Sequence, residues 1–388
     1  MPPLDFLMAT ITRWVGFFAL AALIGSLIVD LLVLPDDAPE LRPGRRRLQR
    51  LRIACIVMLS LASMAEVIVR GRTMTGAGFS AALNAVPVIL QRTHFGQVWL
   101  VRFALLVGAL CSTCSIRRVT RAVTLGAAFG VAFTTAVTGH AGDWGDVSLS
   151  AAIDWVHVVA SSSWIGGLLS VALVGWGGVV ATWPPALFET IARRFSRLAG
   201  WSLLVVVLSG SYNAWTQVNM LAAMWTTAYG RVLSAKVVIV SVLVLLGAVS
   251  RYAIVARLGD RHAGGLVARL FRLAWREFFG AREIAPALLS SRLLTYVSRE
   301  ACLGVIVLAC SAILADLTPA RHAVHLKDHS ASTAPQITLE ELPSQSHAPV
   351  AHAASHRCSS GGDSSQDALG QLNLNHSLSP PCVRGRGR

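Results

Sequence analysis

The chain is 388 residues long, 54% hydrophobic and only 14% charged, with a formal net charge of +14. A soluble domain carries charge on about a quarter of its residues, so a water-soluble fold is excluded. The surplus arginine would suit nucleic acid, but the arginines are gathered in a few loops between apolar blocks, which is how a membrane protein encodes its topology.

The apolar blocks are each about 20 residues long, enough to cross the hydrocarbon core of a bilayer. In chain order they are Ile11–Leu34, Ile53–Val69, Val98–Ile116, Val119–Gly139, Ala152–Thr182, Ala199–Trp215, Val232–Val255 and Val297–Leu317. The first is too long for a signal peptide and has no small-residue cleavage site, so it reads as a helix that stays. Inside hydrocarbon each block must be helical, because only a helix satisfies its own backbone polar groups. The expected fold class is an all-α membrane protein of about eight transmembrane helices.

The loops set the orientation. The first carries Arg42, Arg45, Arg46, Arg47, Arg50 and Arg52, the third Arg117, Arg118 and Arg121, and the fifth Arg193, Arg194 and Arg197. The long seventh loop, running to Arg299, is also arginine-rich, whereas the second, fourth and sixth hold only Arg70, Arg72, Arg92 and Arg231. Positive charge stays in the cytoplasm, which places both termini on the outer side of the membrane. Within the seventh loop, Gly265–Phe279 has apolar residues at helical spacing among arginines. It reads as a basic amphipathic helix on the inner leaflet or as a solvated linker helix.

The chain also repeats itself. RWVGFFALAALIGSL from Arg13 aligns with DWVHVVASSSWIGGL from Asp154, RRLQRL from Arg46 with RRFSRL from Arg193, and THFGQVWLVR from Thr93 with TAYGRVLSAK from Thr227. Two parallel four-helix repeats are expected, residues 1–140 and 141–320, with a working site between them. Residues 321–388 form a tail too poor in apolar residues to fold alone. The tail holds His322, His325, His329, His347, His352, His356 and His376. It reads either as a loose metal collector or as an unselected extension.

Charged and metal-binding side chains in a span are costly and therefore functional suspects. Glu66 lies near the outer end of the second span, His94 just before the third, His140 just after the fourth, and Asp154 and His157 open the fifth. Asp154 and His157 are three apart and share a helix face, and the short loop after His140 lets it converge with them. Imidazole and carboxylate together suit Cu(II), Zn(II) or Ni(II), with affinity favouring copper. The competing reading makes His140 a helix cap and Asp154–His157 a hydrogen-bonded pair. Arg102 and Lys236, equivalent across the repeat, are expected to snorkel to the headgroups rather than pair with Glu66 or Asp154. Met58, Met64 and Met74, and the Cys111-x-x-Cys114 pair, read as packing before ligation. No P-loop, H-E-x-x-H or G-x-S-x-G motif is present, so no enzyme activity is expected.

At DWVHVVASSSWIGGLLSVALV from Asp154, LSGSYNAWTQV, MWTTAYGRVLSAK and SRLLTYVSREACLGVIVLACSAILADLTPAR, the chain resembles the bacterial copper resistance D (CopD) family. Gly139–Ala141 and T-x-F-G-x-x-W-L-x-R from Thr93 fit as well. The resemblance implies an eight-helix inner-membrane protein of copper tolerance or uptake, working beside a small periplasmic copper-binding protein of the CopC kind. Its implied copper-ion ligands are His140 and His157, with Asp154 nearby. Where members often carry a histidine early in the first span, this chain has Gly16. Copper transport is the expected function. A b-type haem electron carrier and a copper-binding assembly or sensing protein are the alternatives.

Overall fold

A computed structural model describes residues 3–76, 78–113, 117–176, 183–218, 220–249 and 286–320, and its regular structure is helical throughout. Helix α1 (Pro3–Ile28) continues through a π-helical turn, Val29–Val33. Then come α2 (Arg42–Thr75), α3 (Phe79–Arg92), α4 (His94–Ser112), α5 (Arg118–Val137) and a short 3-10 turn, His140–Trp144. Helices α6 (Leu149–Val174), α7 (Pro185–Val218), α8 (Ala223–Thr226), α9 (Ala228–Val249) and α10 (Pro286–Asp316) complete the order. They belong to one unit, Met1–Ala334, and the other unit, Pro335–Arg388, lies outside the described residues. So do the tail histidines, the segment Gly265–Phe279 and Cys114.

Among the described residues, seven helical stretches are long and apolar enough to cross a membrane: Leu4–Val33, Pro39–Thr75, His94–Ser112, Arg118–Val137, Leu149–Val174, Ala228–Ala248 and Leu294–Asp316. The chain is therefore a multi-pass, all-α membrane protein. The sixth expected span, Ala199–Trp215, lies within α7 but is not among the seven. Ser209, Gly210, Ser211, Tyr212 and Asn213 break its apolar run, and two of these side chains turn out to hold the candidate site.

Helices α1 and α6 form the centre. From Ala19 to Ile24 every α1 side chain is at most 2% exposed, the mark of a helix that is apolar all round and enclosed on every side. It packs against α2, α5, α6 and α10, and α6 packs against α1, α5, α7 and α10. Gly25 and Gly166 make the central crossing possible. A Cβ added at Gly25 would strike the backbone of Gly166 and Gly167, and one at Gly166 would strike the Ala21 carbonyl. Small residues let membrane helices approach this closely, so dispersion between backbones replaces the hydrophobic drive that lipid removes.

Several local devices occur twice. Thr93 Oγ1 caps α4 by accepting the Gly96 N–H at 3.0 Å, and Thr227 Oγ1 caps α9 by accepting the Gly230 N–H at 3.0 Å. The Trp14 indole donates to the Val305 carbonyl at 3.3 Å on α10, and the Trp155 indole donates to the Phe129 carbonyl at 3.0 Å on α5.

The stretch between α2 and α4, expected to be a loop, contains α3. This 14-residue helix is too short to span. It buries Ala82 and Ile89 and packs on α2 and α4. Gly76, at φ 62°, closes α2 in the left-handed conformation and turns the chain into it.

Candidate functional site

Asp154 and His157, one turn apart on α6, both look onto the polar stretch of α7. Asn213 Nδ2 donates to Asp154 Oδ1 at 2.8 Å. His157 Nδ1 lies 3.0 Å from Ser209 Oγ, and its ring rests on Gly210, where an added Cβ would come within 3.1 Å of Cε1. Ser209 has one proton, and its hydroxyl donates to the Val205 carbonyl at 2.6 Å. With its proton so placed, the serine oxygen is free to accept Nδ1–H of His157, the tautomer that would leave the ring's lone pair at Nε2. Lys236, from α9, adds positive charge close to Asp154 and His157.

His140 stands elsewhere. In the 3-10 turn it packs against the backbone of Leu314 and Leu317 at the end of α10, beside Asp143 and Arg13. Its Nε2 is buried, and its imidazole is within hydrogen-bonding reach of the Leu314 and Leu317 backbone. Burial, reinforced by Arg13, pushes its imidazole below the ordinary value, against the opposing pull of Asp143. Asp316 anchors the neighbourhood, meeting Arg13 Nε at 3.1 Å and accepting from Thr10 Oγ1 at 3.0 Å.

The other two candidates are tied to separate partners. Glu66 Oε2 accepts from Arg102 Nη1 at 2.8 Å, and Arg102 also donates to Thr134 Oγ1 at 3.0 Å and Thr138 Oγ1 at 3.1 Å. Arg102 is 5% exposed, so it does not snorkel. The interior of α2, α4 and α5 supplies it with a carboxylate and hydroxyls, which lipid headgroups would otherwise have to supply. His94 Nε2 lies 2.6 Å from Asp146 Oδ2, with both side chains exposed. The structure thus brings together Asp154 and His157, leaves His140, Glu66 and His94 with other neighbours, and among the described residues gathers no three His, Cys, Asp or Glu that could hold a metal ion. Sequence reasoning missed Ser209, Asn213 and Asp316. The first two stood inside LSGSYNAW, where the interruption of an apolar run was the available signal.

Comparison with known proteins points the same way at both ends of the helical region. Residues 3–149 match the family model described as copper resistance protein D-like, N-terminal domain, and residues 189–314 match that of copper resistance protein D. The chain is 26% identical over 251 residues to the copper transport protein CutJ of Bacillus subtilis (strain 168), a match covering 61% of this chain and 45% of that protein. It is 30% identical over 204 residues to copper resistance protein D of Pseudomonas syringae pv. tomato, covering 50% of this chain and 65% of that protein. The chain thus matches less than two thirds of the length of either relative. No solved structure matches. Matched in both its first and its last helices, the chain belongs to the copper resistance D family.

Proposed function

We propose that this protein carries copper across the bacterial inner membrane, and that the ion is met at the periplasmic end of α6 by His157 Nε2 and the Asp154 carboxylate. The observation that carries this reading is the seat of His157 on α7, with Nδ1 3.0 Å from Ser209 Oγ and one turn of α6 from Asp154. In this reading Ser209 takes Nδ1–H, so the ring turns a ligating lone pair outward beside a carboxylate already positioned by Asn213. Second-sphere hydrogen bonds of this kind orient metal-ligating imidazoles in general.

Two protein ligands leave positions open for water or for ligands of a donor that hands copper over, such as a CopC-like periplasmic protein. An open, weakly held site suits transit, because an ion that is bound too fully cannot leave. His140 serves in this reading as a second, more external station, its imidazole standing beside the Asp143 carboxylate at the end of α10. Glu66 serves as the counter-ion of Arg102 in this reading, and His94 as the partner of Asp146. The recurring caps, the indole bonds and the Gly25–Gly166 crossing support two four-helix halves, residues 1–140 and 141–320, with copper passing between them.

The test is metal analysis of the purified full chain, alongside copper content of cells expressing it. His157→Ala and Asp154→Asn should each lose copper from the purified protein and abolish its effect on cellular copper. Wild-type copper levels in both variants would remove the proposal. Haem held between the helices would show as a Soret band and would displace it.

A further inference from the structure

At the end of α1 remote from Arg13, a cavity of about 360 Å³ opens between α1, α2, α4 and α5. Five arginines line it, Arg42, Arg45, Arg46, Arg52 and Arg121, against a single carboxylate, Asp30. Asp30 sits in the π-helical turn, is 2% exposed, and is shared three ways: Arg52 Nη2 at 2.7 Å, Arg121 Nη1 at 3.0 Å and Arg45 Nη1 at 3.3 Å. Exposed Asp36 gives a second carboxylate to Arg45 at 3.5 Å, but its closest partner is Arg118 at 2.8 Å. Arg42 and Arg46, exposed at the mouth, have no ion-pair partner among the described residues. The Ser112 and Thr124 hydroxyls, 2.6 Å apart, lie on the same wall.

Asp30 and Asp36 together cannot balance the five arginines, and the surplus positive charge stands at the mouth on Arg42 and Arg46. The missing charge is negative. Guanidinium forks match the oxygens of a phosphate group, two donors to two acceptors. We propose that this cavity binds a phosphate-bearing anion, and that the occupant is the phosphodiester headgroup of an anionic phospholipid. Basic pockets between membrane helices on the arginine-rich side take headgroups in this way. The inference does not depend on copper, because none of the copper-binding groups proposed above lines the cavity.

The experiment uses the purified full chain in neutral detergent without added metal. It is titrated separately with phosphatidylglycerol, phosphatidylcholine and inorganic phosphate, and binding is read by native mass spectrometry and by the thermal unfolding midpoint. Phosphatidylglycerol should bind and stabilise, and phosphatidylcholine should do neither. The double variant Arg42→Gln/Arg46→Gln should bind phosphatidylglycerol about thirty-fold more weakly, the sum of two near-surface arginines. Arg50→Gln, exposed on the same helix but outside the cavity, should bind as the wild type does. If the double variant fails to fold, Arg46→Gln alone should show about a fivefold loss. Binding of inorganic phosphate with the same sensitivity to Arg42 and Arg46, but none of phosphatidylglycerol, would keep the phosphate site and overturn the lipid source. Equal binding by wild type and variants, or no binding of either anion, would overturn the site itself.

Discussion

Single side chains decide whether the proposed copper site can work. Ser209 is no proposed copper ligand, yet its contact with Nδ1 at 3.0 Å orients the His157 ring. Ser209→Ala should weaken copper binding by about tenfold, the lower end for loss of a second-sphere partner, with the helical circular dichroism unchanged. A competition titration against a copper chelator measures it. Glu66 tests the opposite role. Glu66→Ala strands the Arg102 guanidinium, and because the Glu66 side chain is 23% exposed the cost should fall near about 3 kcal/mol, the low end for breaking a buried pair. The thermal midpoint should drop while copper per folded molecule stays the same. His140 brings a pH dependence. Its folded imidazole lies below the ordinary 6.5, so the unfolded chain binds the proton first. The stability contribution is complete above pH 6.5, shrinks as pH falls below it, and is gone once the folded value is passed. His140→Gln should flatten that acid limb in unfolding scans, with Asp143, Arg13 and Asp316 left to set the remaining slope.

Among the helices, the α1–α6 crossing is where sequence and packing agree most closely. Gly25 and Gly166 stand at matching places in the proposed repeat and meet in space. Gly25→Ala should therefore destabilise the bundle by about 1–3 kcal/mol, because the intruding methyl meets backbone that cannot move aside. Gly108→Ala, on the outer side of α4 with nothing within 4 Å of the added methyl, should instead be neutral or stabilise by up to about 1 kcal/mol. Thermal unfolding of the pair in one detergent checks both signs. The spans were legible because apolar blocks of bilayer length admit one structure. Helix α3 was not, since a short amphipathic helix with Pro87 inside it and arginine at its end has the composition of a loop. Helix α7 was half legible: its apolar run was plain, but the helix starts at Pro185, ahead of the expected Ala199, and the polar residues that spoil its hydropathy are the ones that face Asp154 and His157. The Arg13–Asp316 pair could not be read at all, because its partners stand at opposite ends of the helical region and only the packing of α10 against α1 unites them.

For the molecule as a whole, the two halves of the proposed architecture have diverged in how they place charge. Continuing the register of RRLQRL and RRFSRL sets Glu66 opposite Asn213, while Arg102 stands opposite Lys236 and Arg13 opposite Asp154. In the first half the cation is bound directly by the carboxylate of α2. In the second, the matching residue is a neutral amide, and the carboxylate has moved to α6, one turn from a histidine. A carboxylate so held is less fully neutralised by its cation, which is what a site for an incoming metal ion requires. The periplasmic face proposed for this site rests on the arginine-rich loops, and that assignment can be tested directly. In a background with the native cysteines replaced, Val147→Cys, at a fully exposed position before α6, should react in intact spheroplasts with a membrane-impermeant maleimide. Arg50→Cys, exposed at the other end of the bundle, should react only after the membrane is opened. The reverse pattern would put His157 and Asp154 on the cytoplasmic side. Copper would then be loaded from within, a periplasmic donor would have no site to reach, and uptake would have to be exchanged for export.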